Sequence, residues 1–127
     1  MIKKLFILCF IFLLAGCSTS ADGKIVTERD VLKQNPHADI FKYQGRVYSN
    51  VTNLEWFDSS KDQYEKRELL GEIKKQSTNR FWFSNLTATK LPVGTKIYKT
   101  SESETDLGVL IVDYDGEELF YMMLLSG

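Results

Sequence analysis

Side chains able to make or break a covalent bond are scarce in this chain of 127 residues, which has one histidine, His37, and two cysteines, Cys9 and Cys17. A histidine that ligates a metal or moves a proton works with partners, because zinc and catalytic sites draw on clustered ligands. His37 has no second histidine to join and follows Pro36 at a turn, the setting of a surface residue. No serine sits in a Gly-x-Ser-x-Gly elbow, and the glycines of a phosphate-binding loop are missing. Asp113, Asp115, Gly116 and Glu117 look in part like a calcium loop. Such a loop needs ligands at positions 1, 3 and 5, glycine at 6 and glutamate at 12. Here glycine follows the second aspartate directly and Leu124 is twelfth. No metal and no cofactor is expected. Carboxylates are the one reactive group present in quantity: Glu55, Asp58, Glu65, Glu68 and Glu72. Two of them facing each other across a sugar would make a glycosidase, but acids in so charged a stretch usually form a solvated face.

Aromatic residues carry more information. Trp56-Phe57, Phe81-Trp82-Phe83 and Phe120-Tyr121 are dense for a domain of this size. Arg80-Phe81-Trp82-Phe83-Ser84 has the composition of a strand. On a strand Phe81 and Phe83 would share one face and Trp82 would point to the other. Aromatic side chains are mostly core residues, so one expectation is that both faces are covered. The other is an exposed aromatic shelf, with Trp56 and Trp82 as the candidate contacts to a cell-surface protein or glycan.

The elements that would carry these residues are short. Thr27 with Asp30 three residues on has the spacing of a capping box, Val26 and Val31 stand at the hydrophobic-staple positions, and Asn35-Pro36 ends the helix. Residues 39–43 and 46–49 form a hairpin about Gln44-Gly45. Asn50 is placed to cap a short helical turn through Leu54 and Trp56, and residues 57–64 are a polar loop. Residues 68–76 are expected to be a strand, since Gly71 would weaken a helix by about 1 kcal/mol. Leu91-Pro92-Val93-Gly94 is a turn before a strand at 95–99, and residues 101–106 are a loop. Residues 107–114 and 117–125 form the clearest hairpin, about Asp115-Gly116, a type I′ composition. Asn50-Val51-Thr52 and Asn85-Leu86-Thr87 match the N-glycosylation pattern by coincidence, their asparagines suiting a cap and a turn. The expected fold is α+β: a small, mostly antiparallel β domain, a partly open barrel or compact sheet, with one or two short helices.

The amino terminus is of another kind. Lys3-Lys4 precedes ten unbroken apolar residues, 5–14, then Ala15-Gly16 and Cys17. Ten apolar residues fall far short of the roughly 20 that span a bilayer and fit a secretory leader. Leu14-Ala15-Gly16-Cys17 resembles the lipobox of bacterial lipoproteins of the Gram-positive type. The resemblance covers residues 1–17. It implies a signal peptide over 1–16, a diacylglyceryl group on the Cys17 sulfur, and cleavage just before that residue. Two acyl chains make a stable membrane anchor where one is marginal. Residues 17–23 are then the lipidated cysteine and a small, polar tether, and 24–127 one globular domain. The six residues after Cys17 reach at most about 20 Å, which keeps the domain near the outer face of the cell membrane. The stretch Ala88-Thr89-Lys90-Leu91-Pro92-Val93-Gly94-Thr95-Lys96-Ile97-Tyr98 is similar to uncharacterised small exported proteins of bacilli, a likeness that implies no activity.

Loss of Lys3 and Lys4 with a leader would turn the chain's net charge of −1 into −3. That balance excludes the basic footprint of a nucleic-acid binder. Residues 24–127 contain no cysteine, hence no disulfide and no thiolate nucleophile. The expected function is a membrane-anchored, extracytoplasmic, non-catalytic binding or interaction module. The alternatives are a cell-wall or glycan enzyme using a carboxylate pair, and a surface inhibitor or immunity-type factor.

Overall fold

The computed structural model describes residues 25–125; the expected leader over 1–16, Cys17 and the expected tether lie outside the described residues. The first helix, α1 (Glu28–Gln34), begins where the cap chemistry places it: the Thr27 hydroxyl accepts the Asp30 N–H at 3.3 Å. It stops at Asn35, before Pro36. Strands β1 (Ile40–Tyr43) and β2 (Arg46–Asn50) form the expected hairpin. Gln44 and Gly45 both have positive φ, 48° and 77°, the type I′ geometry whose twist matches that of the strands. The last hairpin, β7 (Val109–Tyr114) with β8 (Glu117–Met123), turns the same way, with φ 51° at Asp115 and 80° at Gly116.

Between the two hairpins lie α2 (Glu55–Asp58), a 3₁₀ turn (Lys61–Gln63), β3 (Leu69–Glu72), β4 (Lys75–Gln76), β5 (Thr87–Ala88) and β6 (Lys96–Lys99). All eight strands belong to one sheet, ordered β3-β6-β7-β8-β2-β1-β5-β4, in which every pairing is antiparallel except β4 with β5. Its two edges, β3 and β4, are separated in sequence by Ile73 and Lys74 alone. A single segment therefore serves both edges. Its first half pairs with β6 and its second half with β5. The hand-over is visible in the backbone: Ile73 N–H donates to the Thr95 carbonyl at 2.8 Å, and Lys74 N–H to that of Leu86 at 2.8 Å. The result is a curled, partly open barrel, the α+β architecture expected of the sequence.

Strand alternation then sorts the apolar residues onto two faces. The inner face holds the main core, including Phe41, Tyr48, Ile73, Ile97, Leu110 and Tyr121. The outer face carries two separate clusters. Over β1 and β2, Ile40 and Val47 are covered by Leu32 of α1, by Ala38 and by Phe83. Over β7 and β8, Val109, Ile111 and Phe120 are covered by Val51 and by Phe57 of α2. Among the described residues every buried side-chain nitrogen and oxygen has a hydrogen-bond partner. Tyr121 shows how: its hydroxyl donates to Asp39 Oδ1 at 2.8 Å, and Asn50 Nδ2 donates to Asp39 Oδ2 at 2.9 Å.

Three expectations are corrected. Residues 80–84 are not a strand. The Phe81 and Trp82 N–H groups bond locally to Asn79, and Phe83 turns into the cluster over β1 and β2, so the segment does not run extended. Residues 57–64 are not merely a polar loop; they contain the end of α2 and the 3₁₀ turn, because Phe57 must reach the outer face of β7 and β8. Asn50 does not cap α2, whose N-cap is Leu54. It ends β2 and accepts the Thr52 N–H at 2.9 Å and hydroxyl at 2.6 Å, closing an Asx turn.

Candidate functional site

The Phe81-Trp82 pair sits on a loop that is fixed at its base. At one end, Ser77 N–H donates to the Ala88 carbonyl at 2.9 Å. At the other, Leu86 lies in the left-handed region, φ 63°, with its N–H on the Lys42 carbonyl at 2.6 Å and its own carbonyl accepting from Lys74. A leucine is unfavourable there by about 1–2 kcal/mol, so these bonds impose a conformation the residue would not choose. Asn85 adds a cross-link, accepting the N–H of Gly45 at the tip of the β1–β2 hairpin at 2.8 Å.

Within the loop, Asn79 sets the display. Its Oδ1 accepts the Phe81 N–H at 3.0 Å and its carbonyl accepts the Trp82 N–H at 3.2 Å. Phe83 is then driven into the cluster beneath α1, where it is 6% exposed. Lys42 fastens the same point, with Nζ 3.2 Å from the buried Glu28 carboxylate and 3.5 Å from the Phe83 carbonyl. With Phe83 inserted, Phe81 and Trp82 are left outside, 59% and 70% exposed. The sharing of a face by Phe81 and Phe83, expected of a strand, does not occur.

The surroundings of this pair are basic. The guanidinium carbons of Arg29 and Arg80 lie 5.4 and 4.9 Å from the Phe81 ring centre. Lys75 Nζ reaches the Trp82 carbonyl at 3.5 Å. Lys74 and Lys90 are exposed on the same segment. Sequence reasoning missed this cluster, although a signal was there: residues 73–101 contain six lysines and arginines and no aspartate or glutamate. The near-neutral total conceals that asymmetry. Beside Trp82 there is only a small recess of about 290 Å³, lined by Lys75, Phe81, Trp82, Phe83 and Ser84.

Trp56 is also exposed, at 61%, but it belongs elsewhere. It stands edge-on to Phe57 at 6.0 Å, beside the cluster over β7 and β8, with Leu54 exposed nearby and Glu55 and Asp58 on the same short helix. The two tryptophans therefore flank different outer clusters and do not form one shelf.

The remaining candidates are placed as follows. His37 is exposed, its N–H on Asn35 Oδ1 at 3.0 Å. Glu55, Asp58, Glu65, Glu68 and Glu72 are all exposed, and three are paired with cations: Asp58 with Lys61, Glu65 with Arg67, and Glu68 with Lys99. A groove of about 710 Å³ beside β7 and β8 contains Glu102 and Asp106. Glu102 is held by Arg67 at 3.1 Å, and Asp106 accepts the Gly108 N–H at 3.5 Å. Another groove, of about 880 Å³, runs between α1 and the chain's last described residues, lined in part by Ile25, Val31, Ala38 and Leu124. Among the described residues no three of His, Cys, Asp and Glu come together as a metal-binding group. Among them, too, no helix is long and apolar enough to cross a membrane. Comparison of the chain with protein-family models, curated proteins and solved structures finds no match.

Proposed function

We propose that this protein is a lipid-anchored, extracytoplasmic binding module without catalytic activity, held to the membrane through Cys17 and binding through the Phe81-Trp82 loop. One observation carries the binding half. An exposed tryptophan stands beside an exposed phenylalanine on a loop whose conformation is fixed by Phe83, Asn79 and Lys42. Large apolar side chains held rigidly in water pay little conformational entropy when a partner covers them, and tryptophan is a hot-spot residue type. The anchor half rests on the lipobox resemblance at residues 14–17. A tether raises the local concentration of the domain at a surface, so that even weak contacts are populated.

Each half has its own test. Cys17→Ala should abolish incorporation of a labelled acyl chain and release the domain from the membrane fraction, or leave an uncut precursor. Correct cleavage with membrane retention would refute the anchor. For the loop, Trp56→Phe leaves Trp82 as the one tryptophan. A soluble quencher should reach Trp82 freely in the purified protein and less well in the protein's native membranes. Equal quenching in both would refute a binding role for the loop.

A further inference from the structure

We infer that the partner of the Phe81-Trp82 loop is the anionic lipid surface of the membrane that carries the anchor, so that the loop is a second, reversible contact that orients the domain. This rests on the tethered-module reading and adds the chemistry of what the loop meets. Three observations point to it.

The first is residue type. Tryptophan concentrates at the headgroup level of bilayers, where its apolar ring and polar N–H are both satisfied, and phenylalanine joins it on the apolar face of segments that lie in that interface. Here two exposed rings stand among Arg29, Lys75 and Arg80. Each such cation close to an anionic leaflet favours binding about fivefold. The nearest buried acid, Glu28, is occupied by Lys42 and does not neutralise the cluster.

The second is shape. The recess beside Trp82, about 290 Å³, is at the lower limit of ligand pockets. Phe81 and Trp82 project from it, which suits insertion into a soft, flat partner better than enclosure of a sugar or peptide side chain.

The third is reach. Cys17 is eight residues before Ile25, where the described chain begins, a span of at most about 29 Å. Arg29, four residues further on, already touches the Phe81 ring. The tether thus delivers the chain beside the aromatic loop. Trp56 stands instead beside Glu55 and the Asp58–Lys61 ion pair, a setting without the excess of cations found around Phe81 and Trp82.

The experiment uses the mature, lipidated protein reconstituted into vesicles of phosphatidylcholine with brominated acyl chains, with or without phosphatidylglycerol. In the Trp56→Phe protein, Trp82 emission should be quenched about twofold more in anionic than in neutral vesicles. Raising the salt to 1 M, which shortens the screening length to about 3 Å, should remove the difference. So should Lys75→Glu with Arg80→Glu, both solvent-reachable positions. In the companion Trp82→Phe protein, Trp56 should stay unquenched. Equal quenching in both lipids, or none in either, would overturn the inference. Shielding of Trp82 in native membranes but not in pure anionic vesicles would also overturn it, and would leave the tethered-module reading standing with a protein or glycan as partner. A mature protein that fails to remain with vesicles would overturn the anchor on which both rest.

Discussion

Three consecutive aromatic residues offer a sharp test of the loop geometry. Phe81 and Phe83 are the same residue two positions apart, and on a strand their removal would cost alike. In the structure their settings differ. Phe83 is 6% exposed and packs with Leu32, Ala38, Ile40 and Val47. Phenylalanine-to-alanine changes in cores cost about 3–5 kcal/mol. This cluster lies on the outer face, under a loop and one short helix that can settle into the vacated space, so the lower figure, about 3 kcal/mol, is expected. Phe81 stands in water with two guanidinium groups on its ring. Exposed contacts of that kind contribute about 0.5–1 kcal/mol, so Phe81→Ala should cost no more than about 1 kcal/mol. Trp82→Ala, at an exposed site without such partners, should fall within about 0.5 kcal/mol of the parent. Against a typical total of about 5–15 kcal/mol the Phe83 effect is large. Urea unfolding of residues 24–127, read by the midpoint at unchanged slope, resolves these differences. Equal losses at Phe81 and Phe83, or a loss above about 2 kcal/mol at Trp82, would refute the loop as described.

Other consequences can be checked with the same domain. Gly116 has φ +80° with open space around it, so Gly116→Val should destabilise by more than about 1 kcal/mol through backbone strain alone, and a neutral result would misplace the turn. The Thr89 hydroxyl accepts the Ile40 N–H at 3.0 Å and donates to the Ala38 carbonyl at 2.7 Å. Thr89→Val should therefore cost about 1–3 kcal/mol in urea unfolding while Thr89→Ser costs less, and the reverse order would contradict that pairing. Burial pushes the Tyr48 hydroxyl up to about 12, and burial with the Asp39 charge raises Tyr121 further. Unfolded tyrosine ionises near pH 10, so the stability these groups contribute is complete below about pH 10 and is lost as pH rises towards 12. Alkaline unfolding midpoints should fall across that window, and less steeply in Tyr48→Phe; identical slopes in the two proteins would count against it.

The parts of the fold that could be read from the chain are those fixed by local chemistry. Thr27 caps its helix, Gln44-Gly45 and Asp115-Gly116 make their turns, and Gly94, with φ +94°, closes the turn after Pro92. Each depends on residues within four positions of one another. The lipobox resemblance at residues 14–17 is local in the same sense, a property of four adjacent residues. The aromatic loop could not be read that way. Strand composition at residues 80–84 is genuine, yet Asn79 turns the backbone there and Phe83 is drawn into a cluster with Leu32, Ile40 and Val47, residues far away in sequence.

By itself, then, the sequence determined the α+β class, the two tight hairpins, the scarcity of nucleophiles and metal ligands, and the acid-free run from 73 to 101. Tertiary structure alone decided which aromatic residues are buried. Phe83 is inside, packed with Leu32, Ala38, Ile40 and Val47, and Phe81 and Trp82 are outside, because Asn79 and Lys42 hold the backbone that chooses among the three. Burial is settled by the packing of chain segments far apart in sequence, which no pattern within the five residues 80–84 contains.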